Sequence, residues 1–193
     1  IHISNYYFSD TGLSYSKKLL KELNFDHGYF GNSGAEANEA AIKLARKYGE
    51  LNGGSKRKTI ITLESSFHGR TLATLTATGQ NKFHPECFAP YPEGFKTIKA
   101  NDFESLENAF DDTCAALFME SIQGEGGVNL IDKEWALAAC EKARKAGAIV
   151  MIDEVQTGIG RTGSFLYSDS LGLNAEVVTL AKGIAGGLPM GAC

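Results

Sequence analysis

Four short runs constrain this chain more than anything else in it: TIITLE (59–64), AALFME (115–120), AIVMID (148–153) and EVVTLA (176–181). Each is apolar almost from end to end. A strand with one wet face alternates apolar and polar residues, so continuous runs of this kind read as strands covered on both faces. Helical patterns lie between and before them. KEWALAACEKARKAG (133–147) joins the second run to the third, and SYSKKLLKEL (14–23) places Leu19, Leu20 and Leu23 on one face. In NSGAEANEAAIKLARKYG (32–49), Ala37, Ala41, Leu44, Ala45 and Tyr48 recur at helical spacing, Ser33 and Glu36 form a capping box, and Gly49 is the expected stop. Strands alternating with helices predict an α/β fold, a mostly parallel sheet between two helical layers.

The remaining totals exclude more than they select. The 193 residues suffice for one domain with a full core, and no repeat or linker divides them. With 19 basic against 23 acidic side chains, nothing favours nucleic acid or an anionic membrane as partner. No apolar run approaches the ~20 residues of a membrane span. The four cysteines are scattered, without Cys-x-x-Cys or a His pair at ligand spacing, so no metal site is expected and reduced thiols in the cytoplasm are the simplest reading. The chain lacks an initiator Met and stops inside LPMGAC, which reads as a fragment of a longer polypeptide.

In open parallel sheets, ligands collect beyond the carboxyl ends of the strands. The residues just past the four runs are Ser65-Ser66-Phe67-His68, Glu120, Asp153 and Lys182. Lys182 is either a solvated lysine or, if desolvated in a crevice, an amine able to bond to a carbonyl carbon. Asp153 is either a turn cap or a carboxylate holding a cation such as a protonated pyridine nitrogen. Together the amine and the acid make the pair that pyridoxal 5'-phosphate (PLP) needs. Gly34 and Ala35, at the start of the 32–49 helix, offer free amides and a positive dipole end for a phosphate, or belong to a plain cap. Phe67 fits core packing or the face of a planar ring, and Arg70 a surface ion pair or a two-pronged grip on a carboxylate. His68 takes no firm role. GIGRTG (158–163) satisfies G-x-G-x-x-G, but VQT separates it from the strand and aromatic SFLYSD follows, so it is not a dinucleotide loop.

GNSGAEANEAAIKLARKYG, SFHGRT, ESIQGEGG, IDEVQTGIGRTG and LAKGIAGGLPMGA, in that order, resemble the class-III (ornithine-type) aminotransferases of the fold-type-I PLP enzymes. The resemblance spans nearly the whole chain. It implies that Lys182 attaches to the PLP aldehyde and that Asp153 pairs with the pyridine nitrogen. Val155 would pack on the ring, and Gln156 would reach its phenolic oxygen. Gly34 and Ala35 would bind the phosphate, and Phe67 would stack on the exposed ring face. Arg70 would hold the substrate α-carboxylate, Glu125 would bind at the substrate side, pairing with a C-terminal arginine and swinging between half-reactions, and Glu120 would support the site from behind. By the same resemblance, the reaction moves the terminal amine of N-acetylornithine to 2-oxoglutarate, His68 tilting the choice away from ornithine. Succinylornithine and 4-aminobutyrate are the other donors of the class, and a PLP-sensing module without turnover is the alternative outside it. Residues 1–193 would then be an incomplete PLP-binding large domain, inactive alone, of a protein that is a homodimer at full length.

Overall fold

The structure, a computed structural model, describes residues 6–193. Five strands form its main sheet: β1 (Thr59–Leu63), β2 (Phe95–Ile98), β3 (Cys114–Met119), β4 (Ile149–Asp153) and β5 (Val177–Thr179). Their spatial order is β2-β1-β3-β4-β5, and every neighbouring pair is parallel. The three longest helices are α1 (Asp10–Leu23), α2 (Gly34–Gly53) and α3 (Lys133–Lys145).

Successive residues of each strand face opposite layers, which is why the runs are apolar throughout. Ile60, Ala116, Phe118 and Met151 pack against Ala41, Ile42 and Ala45 of α2. Ile61, Leu117, Met119, Val150 and Ile152 pack on the other face, against Trp135, Ala136, Ala139 and Cys140 of α3. Burying a large apolar side chain such as Phe118 contributes roughly 1.5–3 kcal/mol. Trp135 keeps its one polar atom satisfied there, since Nε1 donates to the Asp102 carbonyl at 3.0 Å. The α/β sandwich expected from the four runs is therefore the fold.

Several details differ from the expectation. Phe95–Ile98 adds a fifth strand at the sheet edge, with Lys96 and Thr97 exposed. The last strand stops at Thr179, and Leu180 turns away to bridge Ala192 in antiparallel fashion. Leu44 is exposed rather than core-facing. The capping box is half formed: Ser33 Oγ accepts from the Glu36 amide at 3.2 Å, but the Glu36 carboxylate takes the Asn32 amide instead of that of Ser33.

Gly49 does not end α2, which runs on to Gly53. Its role is close approach. A Cβ there would lie 2.0 Å from the Arg57 carbonyl oxygen and 2.9 Å from Ala115 Cβ. Gly49→Ala must therefore push α2 off the sheet, and we expect it to destabilise the protein by about 1–3 kcal/mol despite alanine's higher helix propensity. Thermal unfolding of the variant checks this; an unchanged or raised Tm would contradict it.

Candidate active site

The carboxyl ends of β1, β3, β4 and β5 open on a cavity of about 590 Å³. It is lined by Gly34, Ala35, Phe67, Arg70, Asp153, Val155, Gln156 and Lys182, and by His68 and Glu120. All the candidate cofactor- and substrate-site residues but one therefore line this one cavity. The exception is Glu125. It lies outside the lining, where Lys82 Nζ approaches it at 3.4 Å and the Gln80 side-chain amide donates to it.

Local sequence explains how the parts are presented. Ser33 caps α2, so Gly34 and Ala35 fall at its first turn, whose amides have no intrahelical partner. Gly34 must be glycine, because a Cβ would meet Val155 Cγ1 at 2.8 Å. Val155 thus lies directly over the helix start. Gln156 occupies the space that glycine leaves at Gly124, where a Cβ would meet the Gln156 amide at 2.5 Å. Phe67 stands edge-on to Phe83, ring centroids 5.4 Å apart, and its amide donates to Glu120 Oε2 at 2.8 Å.

Asp153, at the last position of β4, is buried. Its Oδ2 accepts from Asn38 Nδ2 and from the His68 ring at Nδ1, each at 2.8 Å, and its Oδ1 accepts from the Val155 amide at 3.0 Å. The turn-cap reading of this residue is thus also realised, through Val155. His68, left without a role above, is its direct neighbour.

Lys182 takes the solvated of its two readings. It is exposed rather than desolvated, because it sits past the strand end on a one-turn 3₁₀ segment, Lys182–Ala185, at the open side of the cavity. Among the described residues its amine has no hydrogen-bond or ion-pair partner. Its backbone is unusual: φ is 51°, the left-handed region that costs a non-glycine residue of order 1–3 kcal/mol. Tyr15 of α1 holds this turn, its hydroxyl donating to the Ile184 carbonyl at 3.0 Å. Arg70 is likewise exposed and unpaired among the described residues, a free guanidinium at the rim.

A family model described as Aminotransferase class-III matches residues 1–193. The chain belongs to the class-III aminotransferases. It is 45% identical over 192 residues to the acetylornithine aminotransferase of Caldanaerobacter subterraneus subsp. tengcongensis, covering 100% of this chain and 49% of that protein. Among solved structures it resembles the N-acetylornithine aminotransferase of Stenotrophomonas maltophilia (TM-score 0.82, 34% identity, 99% of this chain and 47% of that one). It also resembles the ornithine aminotransferase of Toxoplasma gondii, whose active site holds PLP at partial occupancy (TM-score 0.92, 30% identity, 98% and 45%). The chain spans about half the length of the curated class-III relatives it matches.

Within this cavity, Glu120 has a distinct electrostatic position. Burial first, and then the negative charge of Asp153, push its carboxyl well above the ordinary value of 4.5, against the opposing pull of the Phe67 amide and Lys182. Between the unfolded and the raised folded pKa the native state binds the extra proton, so this residue's contribution to stability is full below about 4.5 and is lost as pH rises through the folded value. Glu120→Gln keeps an acceptor for the Phe67 amide and removes the titration. In PLP-free protein we expect its Tm to gain on the wild type as pH rises from 4.5 to 8. A constant difference across that range would contradict the assignment.

Proposed function

We propose that the whole protein is a PLP-dependent aminotransferase and that residues 1–193 are its PLP-binding large domain. Its donor is N-acetylornithine, through the terminal amine, and its acceptor is 2-oxoglutarate; it works in the cytoplasm as a homodimer. The observation that carries this reading is that an amine, a buried carboxylate and free helix-start amides line one cavity. That donor set suits PLP: an aldehyde for Lys182, a ring nitrogen for Asp153 and a phosphate for Gly34 and Ala35. Phe67 and Val155 supply apolar walls for the ring, and the cavity volume is that of an ordinary cofactor site. The donor assignment is supported by the relatives, several of which, at 42–46% identity, are named acetylornithine aminotransferases.

When bound, PLP supplies an electron sink for the pair left when the C–H bond beside the substrate amine breaks. The chain does the rest. Lys182 Nζ, on its exposed turn, would hold the aldehyde before substrate arrives and would afterwards take the proton off the substrate carbon as base and give it, as acid, to the former aldehyde carbon. The Asp153 carboxylate would keep the proton on the ring nitrogen. Gly34 and Ala35 N–H groups would seat the phosphate, and the Gln156 amide would donate to the phenolic oxygen. The Arg70 guanidinium grips the α-carboxylate with two hydrogen bonds, so that the distal amine is the one presented. Glu125, held outside the cavity by Lys82 and the Gln80 amide, would reach the substrate only by swinging away from both.

A donor panel tests the reading. Full-length protein with PLP and 2-oxoglutarate is expected to turn over N-acetylornithine with a kcat/KM at least about tenfold above ornithine, succinylornithine and 4-aminobutyrate, a discrimination of about 1.4 kcal/mol. A higher value for any of those three reassigns the donor, and no turnover with any of them overturns the reading.

A further inference from the structure

The cofactor reading leaves one buried cluster unexplained. Asn38 is buried inside α2, with no catalytic group of its own. Its Nδ2 donates both to Asp153 Oδ2, at 2.8 Å, and to the His68 carbonyl, at 2.7 Å. The two hydrogens of one amide are thereby spent on the acid and on the loop that carries Phe67. His68 adds a second donor to the same carboxylate oxygen, its ring stacked on Phe118 with centroids 4.1 Å apart and its own amide fixed on Thr78 Oγ1.

The count of bonds matters. A carboxylate has about four lone-pair sites. Asn38, His68 and the Val155 amide take three of them, leaving one for a ligand. The arrangement is also one-handed. Turning the Asn38 amide over would set its oxygen against the Asp153 carboxylate and the His68 carbonyl, lone pair against lone pair. In the observed orientation Asn38 Oδ1 and His68 Nε2 are buried without a partner among the described residues, a penalty of about 1–3 kcal/mol for each. A plain core position would be better filled by an apolar side chain.

We propose that Asn38 is a positioning residue for the Asp153 carboxylate, working with His68 as a two-donor clamp. Because Asn38 stands one turn along α2 from Gly34 and Ala35, it also sets the distance between the acid and the phosphate seat. It joins three stretches far apart in the chain: Asn38 lies 30 residues from His68 and 115 from Asp153. This inference rests on the PLP reading above and assigns Asn38 no contact with substrate.

The test compares PLP with its deaza analogue, in which CH replaces the ring nitrogen. A clamp on Asp153 matters only to a ligand with that nitrogen, whereas a merely structural residue affects both ligands alike. We expect wild-type protein to prefer PLP. In Asn38→Ala the PLP Kd should rise about tenfold or more, with the analogue's Kd within about twofold of wild type. Asn38→Leu, which keeps a similar volume and loses the amide donor without adding a charge, should give the same selective loss and serves if the alanine variant fails to fold. Equal weakening for both ligands, or no weakening for either, overturns the proposal. If wild-type protein shows no preference for PLP, the Asp153 role itself fails, a distinct result.

Discussion

In Lys182→Ala, turnover of the full-length protein is expected to fall by at least about 10³-fold, while PLP still binds. The residue carries two duties, holding the aldehyde and moving the proton, and general acid–base catalysis alone contributes about 10²–10⁴-fold. The fold should not notice. The side chain is exposed and, among the described residues, unpaired, so stability should stay within about 0.5 kcal/mol of wild type. Alanine also inherits the same backbone strain, φ 51°, and relieves none of it. Mass spectrometry after borohydride reduction checks the covalent part: wild type should carry a fixed PLP adduct and the variant none. A variant that keeps both the adduct and more than a tenth of the turnover would remove Lys182 from its role.

Asp153→Asn should be nearly as damaging, for a different reason. A carboxylate beside a cation favours the charged form by about 1–3 pKa units. Losing it should deprotonate the ring nitrogen at neutral pH and lower turnover by about 10–10³-fold. Here the fold does suffer. The carboxylate accepts three hydrogen bonds, whereas an amide in its place would turn one NH₂ towards a donor, either the Asn38–His68 pair or the Val155 amide. That leaves at least one buried donor unsatisfied, about 1–3 kcal/mol. Denaturant unfolding of PLP-free protein separates this loss from the kinetic one. A variant with wild-type turnover would contradict the assignment.

The sheet was legible because burial on both faces writes itself into consecutive residues, as in TIITLE and AIVMID. Phe67, His68, Glu120, Asp153 and Lys182 were legible by position at the strand ends and Gly34 and Ala35 at a helix start, whereas Val155 and Gln156 came only from the family resemblance. Edge strand Phe95–Ile98 was not, because it is four residues long with two exposed positions and a lysine. Gly49 misled for a related reason: glycine as a helix stop and glycine as a close-approach site look alike until the Arg57 carbonyl is seen beside it. Lys182 was left open between a solvated and a desolvated amine, because exposure depends on what lies over a side chain, which its neighbours in sequence do not record. Asn38 gave no signal at all. It occupies a helical position between Ala37 and Glu39, and its meaning lies 115 residues away.

The account depends on one ligand being gripped by three separated parts of the chain at once. A crystal structure of the full-length protein grown with PLP tests that most directly. It should show the phosphate within hydrogen-bond distance of the Gly34 and Ala35 amides, the ring nitrogen against the Asp153 carboxylate, and continuous density from the aldehyde carbon to Lys182 Nζ. PLP bound with its phosphate elsewhere, or joined to a different lysine, would contradict it.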